Sequence, residues 1–276
     1  MMTSLWFAKA HAYGNDFLYV RSQDVPDDSR VLLARELCDR HEGIGADGLI
    51  LYHRSDADVF MTLLNADGSR AEVSGNGVRA LGALLLRDEP KDEASVVVHT
   101  DAGEKRLTRL SRTGSRHLFR ASMGVPTEPA MKSLAAGGEQ LSAVVLNMGN
   151  PQCVLLGPLP DDDRFRRLGA ALERHQMFPE GTNVEFVSVE APGRVRMLIW
   201  ERGVGPTTSS GTGSCAALVA AAAFGGAQRD AEVIAPGGSQ RVEWREDGVY
   251  LTGWAEVLCE GEWFRQIPRT GSPKPV

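Results

Sequence analysis

Two stretches decide the fold: AEVSGNGVRALGALLLRDE, Ala71 to Glu89, and PTTSSGTGSCAALVAAAAFGG, Pro206 to Gly226. Aligning Ser74 with Ser210 sets the glycine motifs 136 positions apart, almost half of the 276-residue chain. Their flanks repeat as well. VFMTLL precedes NADGS, and VRMLIW precedes ERGVG. Downstream, VVVHTDAG puts Gly103 29 residues after Ser74, and EVIAPGG puts Gly238 28 residues after Ser210. Strand, turn, glycine motif, helix and strand, twice in the same order, predict a duplicated chain of two similar halves.

The helix after each motif is almost uncharged: Val78–Leu86 carries only Arg79, and Ala216–Phe224 carries none. A helix apolar on all sides must be surrounded by protein. Elsewhere apolar and polar residues alternate over short spans, as in Lys105–Leu110, Arg116–Ala121, Asn183–Val189 and Arg241–Trp244, which predicts half-buried strands. The expected fold is therefore α+β, with two pseudo-symmetric halves. Each is expected to be a curved, mostly antiparallel sheet or barrel wrapped around a central apolar helix, with the active site in the cleft between them. The prolines of MGVPTEP, Met123–Pro129, interrupt strand pairing and mark the crossover. Residues 1–122 then form the N-terminal half, joined by a last strand at about 262–276, and residues 123–261 form the C-terminal half. A further helix is expected over Ser29–Arg40, where Val31, Leu32, Ala34, Leu37 and Cys38 mark an apolar face.

The chain's 30 basic and 36 acidic residues give a net charge of −6, which argues against nucleic acid as a partner. The first twenty residues lack the pattern of a secretory signal. The longest apolar stretch, Ala216–Ala227, is 12 residues, short of the roughly 20 that span a membrane. A cytoplasmic chain with no membrane partner is expected. Cys38, Cys153, Cys215 and Cys259 lie 115, 62 and 44 positions apart, unlike zinc ligands or a compact disulfide framework. Reduced thiols, mostly buried, are expected, with no metal.

GIGADG, Gly43–Gly48, matches the dinucleotide fingerprint in letters only, because a helical segment precedes it and the strand-like LILY follows. It reads as a tight turn. SGNG and SGTG each open a helix and so present unpaired N–H groups and a positive dipole end, which bind carboxylate or phosphate. Ser74 and Ser210 also suit simple N-caps. Brought together by the duplication, the amides of Gly75, Asn76, Gly211 and Thr212 could hold one carboxylate. Around them the chain is rich in polar residues: Asn15 and Asp16, Asn65 and Asp67, Asn147 and Asn150, Asn183, then Glu201 and Arg202. With Arg202 suited to bidentate carboxylate recognition, this set points to a small zwitterionic ligand. No phosphate-loop lysine, zinc-binding helix or GxSxG elbow is present in the sequence.

The strings FAKAHAYGNDF, RHEGIGADGLILY, NADGSRAEVSGNGVRALG, NMGNPQCV, GTNVEFVSV and WERGVGPTTSSGTGSCAA run from Phe7 to Ala217. Together they resemble the diaminopimelate epimerases, within the cofactor-independent amino-acid racemases. The resemblance implies an active site needing neither pyridoxal phosphate nor metal, and a protein that is a monomer or a homodimer. In the family, one cysteine removes the α-proton on one face and a second delivers a proton on the other. By similarity Asn15, Asn65, Asn183 and Arg202 hold the non-reacting end of diaminopimelate. Glu201 and the amides of Gly75, Asn76, Gly211 and Thr212 hold the reacting end.

The chain departs from the family at the chemistry itself. Ser74 and Ser210 stand at the two cysteine positions, Gln152 replaces the histidine of GNPH, and Pro206 replaces a glutamate. Cys215 lies five residues beyond Ser210, inside the helix. A hydroxyl near the pKa of water, about 15.7, is about 7 units weaker than a thiol as an acid, on the order of 10 kcal/mol. A helix dipole supplies only about 0.3–2 kcal/mol. His11 and Glu201 are the remaining candidate bases. The leading expectation is an epimerase converting LL- to meso-diaminopimelate through Ser74 and Ser210. The alternatives are a homologue that binds ligand without turnover, and an isomerase of another amino acid using Glu201 or His11 as its only base.

Overall fold

The computed structural model describes residues 2–55, 58–71 and 73–266. The first part of the chain forms β1 (Met2–Ala12), β2 (Asn15–Arg21), α1 (Arg30–Cys38), β3 (Gly48–Ser55), β4 (Asp58–Asn65), β5 (Arg70–Ala71) and α2 (Gly75–Leu85). There follow β6 (Ser95–Thr100), β7 (Gly103–Thr113), β8 (Arg116–Gly124), β9 (Ala130–Ala136), β10 (Glu139–Asn147), β11 (Pro151–Leu156) and α3 (Asp162–Glu173). The last part holds β12 (Asn183–Ala191), β13 (Arg194–Glu201), β14 (Gly205–Thr207), α4 (Gly211–Phe224), β15 (Asp230–Ala235), β16 (Gly238–Arg245) and β17 (Gly248–Gln266).

The strands make one continuous 17-stranded sheet, and this corrects the expectation of two like halves. Eight strands close into a barrel in the order β1, β2, β3, β4, β6, β7, β8, β17, with β17 paired to β1 to complete the ring. Seven more strands run on from β17 through β16, β15, β13, β12, β11 and β10 to β9, where the described pairings stop without closing a second ring, and the short β5 and β14 pair beside β4 and β13. The physical reason lies in β17. Its 19 residues bond β16 and β8 on opposite edges over Val249–Thr252, then continue along β1. A strand whose two edges are both paired leaves no boundary at which one sheet ends and another begins. Of the terminal segment expected at about 262–276, residues 267–276 lie outside those described.

The helices are also shorter than central rods. α2 has 11 residues, with the expected single charge, Arg79, fully buried, while α4 has 14 and emerges from the protein at Ala223 and Phe224. Neither is a long enclosed apolar rod, and no helix among the described residues is long and apolar enough to cross a membrane. Both still owe their place to burial. Leu81 of α2 and Val219 of α4 belong to one apolar core, and α2 packs on β1, β2, β7, β8 and β17. Each helix connects two strands that pair in parallel, α2 between β4 and β6 and α4 between β13 and β15, as a crossover helix does. α1 covers a second core around Leu18, Leu37 and Leu49, and α3 covers a third around Phe165, Leu168 and Phe186.

Candidate active site

The site begins with two helix starts. Ser74 has an extended backbone, φ −124° and ψ 119°, and its Oγ accepts from the Gly77 N–H at 3.1 Å. Ser210 repeats this with φ −139° and ψ 128°, its Oγ accepting from the Gly213 N–H at 3.1 Å. These side chains satisfy one orphan donor of each first turn and leave the N–H groups of the leading residues directed outward. The two starts touch. A Cβ on Gly75 would sit 3.3 Å from the Gly211 Cα, and one on Gly211 would sit 3.2 Å from the Gly75 Cα. Glycine at both positions lets the backbones meet, so that two positive dipole ends lie side by side.

Side chains from distant segments converge on this junction. Asn76 is buried and donates to Asn15 Oδ1 at 3.2 Å and to Ser209 Oγ at 3.2 Å. Asn15 in turn donates to Asp47 Oδ2 at 2.7 Å. On the α4 side, Asn150 donates to Thr212 Oγ1 at 3.4 Å. Oriented with its nitrogen toward Glu185, the Gln152 amide donates to Glu185 Oε1 at 2.9 Å and accepts from Asn183 Nδ2 at 3.3 Å. Asn183 Oδ1 accepts from the backbone N–H of Arg202 at 2.9 Å, which fixes the turn after Glu201. Two expected ligands point to other neighbours. Asn65 donates to Ser69 Oγ at 3.0 Å, and Arg202 Nη1 donates to the Glu180 carbonyl at 3.2 Å.

Electrostatics separate the candidate acids and bases. Burial, reinforced by the charge of Asp47, pushes the half-buried Glu201 carboxyl up to about 7. Burial and the charge of Glu201 hold the enclosed Glu185 carboxyl well above the usual carboxylate range. The buried Cys215 thiol is raised to about 12, which leaves no thiolate there at neutral pH. His11 is lowered by burial, and its ring is engaged elsewhere: Nδ1 accepts from the Gly14 N–H at 3.3 Å, Nε2 lies 3.8 Å from Glu256, and the ring makes a T-shaped contact with Trp254. Among the described residues no three His, Cys, Asp or Glu side chains are grouped to hold a metal.

Sequence reasoning passed over Asp47, Ser209, Glu185, Gln240 and Arg79. Asp47 lies within GIGADG, whose short-range reading was a tight turn; its carboxylate reaches Asn15 only because β2 and β3 pair in parallel, Phe17 opposite Gly48. Arg79 carried a visible signal, the single charge on an otherwise apolar helix.

Sequence and fold match the pyridoxal-phosphate-independent amino-acid epimerases and racemases, a superfamily of isomerases. The family model described as diaminopimelate epimerase matches residues 7–127 and 144–258, and the chain belongs to that family. A diaminopimelate epimerase of Desulforudis audaxviator is 41% identical, over 94% of this chain and 99% of the relative. One of Desulfitobacterium hafniense is 39% identical, over 92% of this chain and 96% of the relative. Among solved structures, a hydroxyproline epimerase from Agrobacterium vitis superposes with a TM-score of 0.72 at 16% identity, covering 96% of this chain and 94% of its own. A probable proline racemase from Agrobacterium radiobacter likewise gives 0.72 at 16% identity, covering 98% and 94%. These likenesses are of fold.

Proposed function

We propose that this protein is an amino-acid epimerase acting on diaminopimelate, LL to meso, with the α-carboxylate held between the starts of α2 and α4. One observation carries the reading: the Gly75–Gly211 contact, which joins two capped helix ends where a planar anion meets N–H groups from both. Ser74 and Ser210, at the family's two cysteine positions, then flank the α-carbon, one as its alkoxide to remove the proton and the other as its hydroxyl to return a proton on the opposite face, becoming the alkoxide in turn. Glu201 is suited to the α-amino group, since a carboxyl titrating near 7 can pair with an ammonium and ionise as it does so. Asn15, Asn65, Asn183 and Arg202 serve the distal end of the substrate; for Asn65 and Arg202 this requires the side chains to turn from their present partners.

A second reading, binding without turnover, is favoured by a specific feature. Both serine hydroxyls spend an acceptor position on capping, and the histidine of the family's GNPH string is Gln152. Proton NMR of LL-diaminopimelate in heavy water distinguishes the two. Loss of the α-proton signal at a catalytic rate supports the epimerase; line broadening with an undiminished signal shows a pocket without turnover. No change of either kind removes diaminopimelate as the ligand.

A further inference from the structure

Arg79 is fully buried one turn into α2. Its Nη2 donates to Asn76 Oδ1 and, at 2.8 Å, to Gln240 Oε1, both neutral acceptors. Its Nε and Nη1 have no hydrogen-bond partner among the described residues. The Tyr13 ring lies 5.9 Å from the guanidinium carbon, and no carboxylate among the described residues forms an ion pair with it. Burial lowers its pKa to about 10, so the charge persists at neutral pH.

An enclosed cation without a counter-ion is costly, and this one sits where other positive potential accumulates. Nη1 is 3.9 Å from the point where a Cβ on Gly75 would lie and 3.7 Å from the corresponding point on Gly211. The unpaired guanidinium therefore lies directly beneath the junction of two helix N-termini. Three sources of positive potential are stacked there, and the carboxyl nearest them, Glu185, whose Oε1 lies 2.9 Å from the point where a Cβ on Gly213 would sit, is pushed toward its neutral form by burial; the complement is an anion on the outer side of the junction.

We propose that Arg79 is a positioning residue that sets the site's preference for a carboxylate over its neutral analogues. It acts through the Gly75–Asn76 and Gly211 peptide units and through Asn76, whose amide it orients, and it does not touch the ligand. The inference rests on reading the paired helix ends as the carboxylate site; it does not depend on which amino acid carries that carboxylate.

The test uses the intact protein with acetate and acetamide as probes, following the thermal midpoint at matched ionic strength. The native protein is stabilised by acetate at concentrations at which acetamide has no effect. Arg79→Gln, which keeps an amide donor but removes the charge, lowers the acetate-over-acetamide preference ten-fold or more, whereas Arg79→Lys retains most of it. Gln240→Glu provides a variant that does not remove the buried side chain. It places a carboxylate against Nη2, supplies the missing counter-ion, and abolishes the preference while the unliganded midpoint holds or rises. A purely structural role predicts lower midpoints with the preference intact in every variant that folds. The proposal is overturned if the native protein shows no carboxylate preference, or if Gln240→Glu or a folded Arg79→Gln keeps it. Should acetate preference follow the charge while diaminopimelate neither binds nor exchanges, the substrate assignment fails and the role of Arg79 stands.

Discussion

Replacing both helix-capping serines by cysteine, Ser74→Cys with Ser210→Cys, tests the chemistry proposed here through two opposed effects. The first is on the reacting base. A thiol and a hydroxyl differ by about 7 pKa units, so near neutrality the ionised base is about 10⁷-fold more abundant as thiolate. The alkoxide is intrinsically the stronger base, and a Brønsted coefficient of about 0.5 returns half of that difference. The double variant should therefore exchange the α-proton of LL-diaminopimelate about 10³- to 10⁴-fold faster than the native protein. The second effect is on stability. Each serine Oγ accepts a 3.1 Å bond from the third helical residue, Gly77 or Gly213. Sulfur is a weak acceptor, and losing a serine cap costs about 1 kcal/mol. Two caps amount to about 2 kcal/mol, or a midpoint about 4–8 °C lower for a chain of this size. Proton NMR in heavy water reads the first effect and calorimetry the second. The reasoning is refuted if the native protein exchanges within ten-fold of the double variant, because a hydroxyl base would then be working without the penalty assigned to it. If the variant is inert on diaminopimelate but turns over another amino acid, the pocket is competent and the substrate is wrong.

Three other outcomes follow from single groups. Glu201, raised to about 7 in the folded protein, binds more protons folded than unfolded between its ordinary value and 7. Stability should therefore decline as pH rises through that window, and Glu201→Gln should flatten the decline in melts taken from pH 4 to 8; an identical slope would place the titration elsewhere. Arg109 is buried and donates to the carbonyls of Leu86, Glu89 and Lys91, which tie down the end of α2 and the turn after it. Arg109→Met orphans all three and should cost about 2–4 kcal/mol in denaturant unfolding, and a loss below 1 kcal/mol would show that water replaces the guanidinium. Of the four cysteines only Cys259 is exposed, so a thiol reagent should titrate one group in the native protein and four after denaturation.

The helix starts were legible because capping is a local matter. A serine before a glycine pair and a run of small apolar residues suffices to place an N-terminus, and the same spacing after Ser74 and Ser210 located both. The sheet was not legible in the same way. Short alternating segments predicted strands, but the closure of one ring and not the other depends on β17, whose partners β16, β8 and β1 lie at every distance along the chain. No local pattern distinguishes a strand paired on both edges from one that ends a sheet. Asp47 was missed for the same reason: a glycine-rich hexapeptide shows its turn and hides the neighbour its carboxylate will meet.

Arg79 shows how such gaps can be read. Every other residue from Val78 to Leu84 satisfies the local rule for an enclosed helix, and all are buried as that rule requires. The one violation is a full charge held without a counter-ion at the place where two dipoles already point. Local rules broken inside an otherwise consistent element mark positions retained for something other than packing. Here the excess has a sign: two helix ends and a guanidinium all favour negative charge, and none of them discriminates between amino acids. On the reading proposed above, substrate choice rests with groups farther along the ligand, and Asn65 and Arg202 are the positions at which to test it.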